Sequence, residues 1–299
     1  QMGLYASILP LIGYALFGSS RTLAVGPVAV VSLMTAAAAG QVAGGDSGAY
    51  LAATVILALL SGVFLVAMGL LRLGWIANLL SHSVISGFIT ASGLLIAASQ
   101  LKHLLGIPMQ GDTLWELGLS ASREAAGVNG ATLLLGAAAL LFLLWARGPL
   151  KRLLARTPLP PMLADLLAKA GPVLAVIGTT VAVAAGDLQS QGVAVVGAIP
   201  GGLPALSLPA FDAGVWGQLA LPALLISLIG FVESVSVAQT LAAKRRQRID
   251  SNAELIGLGA ANLASGVSGG FPVTGGFSRS VVNFDAGARS PMAGVFTAG

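Results

Sequence analysis

Phe271-Pro272-Val273-Thr274-Gly275-Gly276-Phe277-Ser278-Arg279-Ser280-Val281-Val282-Asn283 decides how this chain is read. A proline and two glycines interrupt an otherwise apolar region, and Ser278 and Arg279 follow at once. A run able to start a helix comes next. A broken backbone and an arginine are both costly at membrane depth, so their joint presence points to a function. The expectation is one half of an anion-binding site.

Composition places the stretch in a membrane. The chain has 299 residues, 56% hydrophobic and only 9% charged, with a mean hydropathy of +0.90. A soluble domain carries about 25% charged residues. Too little polar surface is available to face water, so the chain reads as an all-α polytopic membrane protein. Long apolar runs favour helices over a barrel, whose strands alternate over about ten residues. The 40 glycines suit close helix packing and broken helices. There is no cysteine, which excludes disulfides and thiolate chemistry. His82 and His103 are the only imidazoles and lie far apart in sequence, so neither a metal site nor a cofactor is expected. The net charge of +4 is assigned to membrane orientation rather than to nucleic acid. No signal peptide is visible. Gln1 opens into one apolar run and Gly299 falls inside another, so residues 1–299 are expected to be part of a longer transmembrane transport domain.

Apolar segments follow in order. Leu4–Phe17 contains Pro10. Leu23–Pro27 breaks the chain before a short helix, Val28–Ala39. That helix would rise about 18 Å, too short for about 30 Å of hydrocarbon. Tyr50–Leu71, Ser81–Leu101, Gly130–Trp145, Pro172–Ala185, Gln218–Ala243 and Ala253–Val267 are expected helices. Gly106–Asn129 and Asp187–Gly217 read as long connections, and Pro158–Lys169 as an interfacial piece. Gly269–Gly276 is the second break, with a short helix from Phe277 to about Ala286 and an apolar start at Pro291.

With Gln1 outside and the segments alternating, the inner ends hold Arg21, Arg72, Arg147, Lys151, Arg152, Arg156, Lys169, Lys244, Arg245, Arg246, Arg248 and Arg289. The outer ends hold Lys102 and Arg123, and Arg279 is left within the membrane. Twelve against two follows the positive-inside rule, provided each broken element counts as one crossing.

The two breaks match. Pro27 fits a helix first turn, where its missing N–H costs nothing. Gly275 and Gly276 permit backbone shapes that other residues resist. By the topology above, one half-helix runs outward from the midplane and the other inward, so their N-termini face each other. Each end presents unpaired N–H groups and about half a positive charge. Arg279 completes a site for an anion, and such paired interruptions are the best pointer to a transporter site. In the competing reading Arg279 ties down loop carbonyls, and Ser278 and Ser280 are packing residues or caps. Ser278 is the better ligand candidate of the two serines because it lies closer to the break.

Glu233 is the one carboxylate well inside a long span; the others fall in loops or near helix ends. It is either a static partner for Arg279 or a proton-coupling group whose protonation admits the anion. His82 reads as a capping or interfacial residue, and Gln239 and Thr240 as packing residues. Asn262 and Asn283 are expected to satisfy backbone groups near the break. The Lys244–Arg248 cluster either orients the chain or meets anionic lipid heads.

Three stretches carry a family resemblance: Gly3–Ser7 through Gly18–Ala29, Gly230–Ser234 and Pro272–Ser280. On these the chain resembles the sulfate permease family of anion transporters over essentially its whole length. The resemblance implies an inverted-repeat transporter core of the seven-plus-seven type, a moving and a scaffold domain, and an elevator-like shift. It makes Val28–Ala39 and Phe277–Ala286 the third and tenth segments. The family's anion-site positions fall on Ser278 and Arg279 and near Gly26, Pro27 and Val28, and the acid of proton-coupled members falls on Glu233. The family's first segment, its last segments and a cytoplasmic STAS domain would lie outside residues 1–299.

The expected substrate-binding residues are therefore Gly26, Pro27, Val28, Phe277, Ser278 and Arg279, with Glu233 for proton coupling. The expected function is sulfate:proton symport in a bacterial inner membrane. Its partners would be an inorganic anion, a proton, membrane lipid and a second copy of the chain. A bicarbonate or dicarboxylate carrier, sodium- or proton-coupled, and a channel-like protein are the alternatives. No nucleophile–base pair or ligand cluster suggests an enzyme.

Overall fold

The computed structural model describes residues 3, 6–79, 82–109, 111, 113–150, 153, 167, 170–197, 209 and 212–298. The expected interfacial piece at Pro158–Lys169 lies, except for residue 167, outside the described residues. The helices are α1 (Leu9–Phe17), α2 (Ala29–Ala43), α3 (Ser47–Leu70), α4 (His82–Leu105), α5 (Leu114–Arg123), α6 (Gly130–Trp145), α7 (Gly171–Ala185), α8 (Ala213–Lys244), α9 (Ser251–Val267), α10 (Phe277–Asp285) and α11 (Met292–Ala298). Two three-residue strands, β1 (Ala24–Gly26) and β2 (Thr274–Gly276), occupy the two breaks.

The chain divides into two compact units, residues 1–89 with 200–299, and residues 90–199. In the first unit, α9 packs on α1 and α3. A β-carbon built on Gly62 would lie 2.8 Å from the Leu263 nitrogen, and one on Gly259 would lie 2.8 Å from the Val66 nitrogen. Small residues thus bring two backbones together where apolar burial alone gives helices little drive to associate. Tyr14, Val25, Phe231, Val235, Leu255 and Leu258 form one buried cluster. A second, with Val31, Ile56, Leu57, Leu219 and Ile226, ties α2 and α3 to α8.

α3 and α8, with 24 and 32 residues, are long and apolar enough to cross a membrane. The half-helices are not: α2 has 15 residues and α10 has nine, lengths of about 22 and 14 Å at 1.5 Å per residue. In the second unit α6 buries none of its residues, and Leu134, Leu141, Val176 and Val181 on α6 and α7 are exposed. Apolar faces of this kind suit contact with lipid.

Three expectations change. Gly106–Asn129 is not all connection, because α5 lies inside it. The Thr113 hydroxyl accepts from Glu116 N, and Glu116 accepts from Thr113 N, a reciprocal cap that starts a helix. α8 begins at Ala213, inside the expected Asp187–Gly217 connection, where the Asp212 carboxylate accepts from Gly214 and Val215 N–H groups. Pro27 precedes the N-cap Val28 and is not in the helical first turn. Its fixed φ stiffens the extended approach to the helix instead.

Candidate functional site

The two breaks pair with each other. β1 and β2 run antiparallel in the register Ala24↔Gly276, Val25↔Gly275 and Gly26↔Thr274. An unwound segment in lipid leaves backbone groups without partners. Here each break supplies what the other lacks, so neither is tolerable alone. The antiparallel ladder also gives the two strand–half-helix units opposite senses.

The ladder brings the helix starts together. A β-carbon built on Gly276, the N-cap of α10, would lie 3.4 Å from Cγ2 of Val28, the N-cap of α2. Neither N-cap contributes a side-chain hydrogen bond. Asp46, Thr113, Asn129, Asp212 and Asp250 cap α3, α5, α6, α8 and α9 through their side chains, while α1 and α7, like the half-helices, start without such a cap. The N–H groups at the two half-helix starts are thus presented without a side-chain acceptor.

Arg279 lies across this junction. Its Nη2 donates to the Pro27 carbonyl at 3.0 Å. A β-carbon on Gly26 would sit 2.5 Å from Arg279 Nη1. One on Gly275 would sit 2.6 Å from a methyl of Leu23. Gly275 and Gly276 do not have positive φ, contrary to the expectation that they supply unusual backbone shapes. Room is the reason at Gly26 and Gly275: the guanidinium and the Leu23 side chain fill the space a side chain would need.

The structure divides the serines. Ser280 is buried, donates to Gly276 O at 2.6 Å and accepts from Ala24 N at 2.9 Å. It fastens the two arms. Ser278 and Phe277 are exposed, beside the uncapped start of α10. Arg279 ties down a loop carbonyl with one of its five N–H donors, and its guanidinium lies 3.5 Å from a β-carbon built on Gly276 at the start of α10.

Hydroxyls and one amide fix β2 in place. The Ser234 and Thr274 hydroxyls lie 2.6 Å apart, Thr274 donates to Gly230 O, and Gly275 N donates to Ser234 Oγ at 2.8 Å. Asn262 accepts from Val273 N and donates to Val273 O, both at 2.9 Å. It thereby fills the backbone role expected of it. Glu233 precedes Ser234 on α8, and its Oε2 is buried without a hydrogen-bond partner. Among the described residues no ion pair joins Glu233 to Arg279. Gln239 and Thr240 are exposed and do not pack inward.

Two functional-looking residues escaped the sequence. Glu254 is fully buried at 0% exposure. Glu233 remains the carboxylate well inside a long helix, but a second one, in the first turn of α9, is buried as well. A position four residues after the Asp250 cap reads as a helix end, but residues 14–20 close over it. The signal available was the hydroxyl set Tyr14, Ser19 and Ser20 ahead of the first break. Arg245 is the second. It donates to Phe284 and Ala288 carbonyls and stacks on the Phe284 ring, 4.2 Å from its centroid. A cation on the last carbonyls of α10 favours the negative end of that half-helix.

The comparisons with known proteins agree with this architecture. The model of the sulfate permease family matches residues 1–299. The chain is 38% identical over 306 residues to "Sulfate transporter 4.1, chloroplastic" of Arabidopsis thaliana, covering 99% of the chain and 42% of that protein. It is 35% identical over 290 residues to "Probable sulfate transporter MT1781" of Mycobacterium tuberculosis, covering 97% of the chain and 49% of that protein. The chain thus spans less than half the length of these two relatives. Its fold is like that of the transmembrane domain of a cyanobacterial bicarbonate transporter, BicA, with a TM-score of 0.77 and 24% identity. That match covers 99% of this chain and 72% of the other. A family model over the full sequence and relatives at this identity leave one assignment: the chain belongs to the sulfate permease family, whose members are integral multi-pass membrane proteins.

Proposed function

We propose that this chain forms the substrate-carrying core of a secondary transporter for an inorganic anion, with sulfate the substrate and a proton the coupled ion. One observation carries the reading. Two half-helix starts without side-chain caps meet at a short antiparallel ladder, with the Arg279 guanidinium across Gly26. Gly26, Pro27 and Val28 form one wall, and Phe277, Ser278 and Arg279 the other. Helix N-termini and a guanidinium favour a tetrahedral oxyanion by N–H donation and by charge. Sulfate is favoured by the two sulfate-transporter relatives.

Glu233 supplies the coupling. A carboxylate oxygen buried in a membrane span without a partner is costly when ionised, and a proton relieves that cost. Proton and anion then travel together, since protonation removes a negative charge that repels the substrate. Both arms and Glu233 belong to one compact unit. A site carried whole on one body suits an elevator-like movement. A bacterial inner membrane, contact with lipid and a second copy of the chain complete the proposal, and no enzymatic step is part of it.

The test uses the full-length protein in liposomes. Labelled sulfate uptake rises with an inward proton gradient, and Arg279→Ala abolishes it while the protein stays folded. Uptake indifferent to the gradient would refute the coupling, and no sulfate uptake would refute the substrate. A bicarbonate carrier, sodium- or proton-coupled, is the second reading, favoured by the fold shared with the bicarbonate transporter. Unlabelled bicarbonate competing better than unlabelled sulfate would select it.

A further inference from the structure

The chain fully buries a carboxylate that does not serve its own helix. Glu254 Oε1 accepts from Ser19 N at 2.8 Å, Ser19 Oγ at 2.6 Å and Ser20 N at 2.8 Å, and Oε2 accepts from the Tyr14 hydroxyl at 2.7 Å. Both oxygens are used, and every donor comes from one short segment, the end of α1 and the turn after it. Glu254 does not cap its own helix. Asp250 does that, accepting from Asn252 and Ala253 N–H groups. The carboxylate instead reaches across 234 to 240 positions of sequence to a turn that leads into β1.

The bonding continues toward the site. Ser20 Oγ accepts from Leu23 N at 3.2 Å. The Leu23 side chain fills the space beside Gly275. Ala24, the next residue, starts the ladder with Gly276. Glu254 therefore sits at the root of the arm that ends in Gly26, Pro27 and Val28.

We propose that Glu254 is a positioning residue for the anion site. By gathering Tyr14, Ser19 and Ser20 it sets where β1 enters the ladder, and so where the N-terminus of α2 meets Arg279. The inference rests on reading Gly26–Val28 as one wall of that site. Glu254 itself is sealed from substrate, so its effect reaches the anion through the backbone of the arm. A glutamine at this position keeps the shape, loses the charge and turns an N–H₂ group toward one set of donors.

The full-length protein in liposomes supplies the kinetic readout, and hydrogen exchange supplies a second that needs no anion. Glu254→Gln raises the KM for labelled sulfate about tenfold, the loss expected for weakened charge-assisted hydrogen bonds, with less than about a twofold change in maximal rate. Amides of residues 22–28 exchange faster, and those of α8 keep their protection. Ser19→Ala and Tyr14→Phe, each removing one donor, shift both readouts the same way by less, and they carry the test if Glu254→Gln does not fold. Wild-type KM and exchange in the variants would overturn the proposal. So would a fall in maximal rate at constant KM, or loss of protection throughout α8, which would make Glu254 a general stabiliser. Arg279→Ala separates the two proposals. If that variant binds sulfate normally, the anion site is misplaced, whatever exchange reports about the arm.

Discussion

The two arms of the junction do the same geometric work by different means. The β2 arm is built from its own side chains: Thr274, Ser280 and Arg279 all bond outward from it, and Asn262 and Ser234 grip it from α9 and α8. The β1 arm contributes almost nothing but backbone. Ala24, Val25, Gly26 and Val28 have no polar side chain, and the arm is set by what reaches it from residues 250 positions away. Their glutamates differ in the same sense. Glu254, at the root of the β1 arm, uses both oxygens, while Glu233, the chain neighbour of Ser234 on α8, leaves one buried oxygen unpartnered. A carboxylate whose oxygens are all bonded holds a shape, whereas an unpartnered buried oxygen fixes nothing around it. In the proposed site, one arm would supply the charged and polar groups and the other a backbone surface held in place from outside.

The sharpest way to break this contrast is at its charged member. Arg279→Ala should lower sulfate uptake by about 100-fold or more, since it removes the charge-assisted contacts of the site. Gly26→Ala should come next. Its β-carbon would displace the guanidinium, so uptake should fall by about tenfold or more, while Gly276→Ala, with only ordinary contacts at 3.4 Å, should stay within about threefold. Uptake kinetics on both variants measure the asymmetry, and equal losses would erase it. Glu233→Gln should leave sulfate exchange within about twofold but abolish accumulation driven by a proton gradient. The matching pH series should show uptake falling as external pH rises in the wild type and flat in the variant. Smallest is Ser234→Ala. It removes one acceptor for Gly275 N and should cost about 1–3 kcal/mol of stability, read as a lower unfolding midpoint.

Much of this was legible in the residues. Glycine and proline mark both breaks, half-lengths follow from helix rise, and charge counting sets the two arms in opposite senses. The backbone role of Asn262 follows from its place just ahead of the second break. The pairing register was not legible, because three-residue strands of Ala-Val-Gly and Thr-Gly-Gly have no alternation to read. The reason for Gly26 and Gly275 was invisible for a related cause. Their neighbours, Arg279 and Leu23, come from the opposite arm. Glu254 gives no signal because its sequence position is a helix end, and only tertiary closure of residues 14–20 buries it. The helix α5 is hard to read despite its Thr113-x-x-Glu116 start, because its low hydropathy resembles that of a loop.

The β1–β2 ladder also sets a timetable. Ser280 Oγ and its partner Ala24 N are 256 positions apart. A ribosome adds about 5–20 residues per second, so the first arm waits roughly 13–50 s for its complement. Throughout that interval an unpaired strand edge and an uncapped helix start sit in or near the bilayer. The insertion machinery, or the lipid–water boundary itself, has to shelter them until the second arm emerges. A chain arrested before Thr274 would therefore hold an open edge where the finished protein pairs β1 with β2, and quality control has a clear feature to recognise.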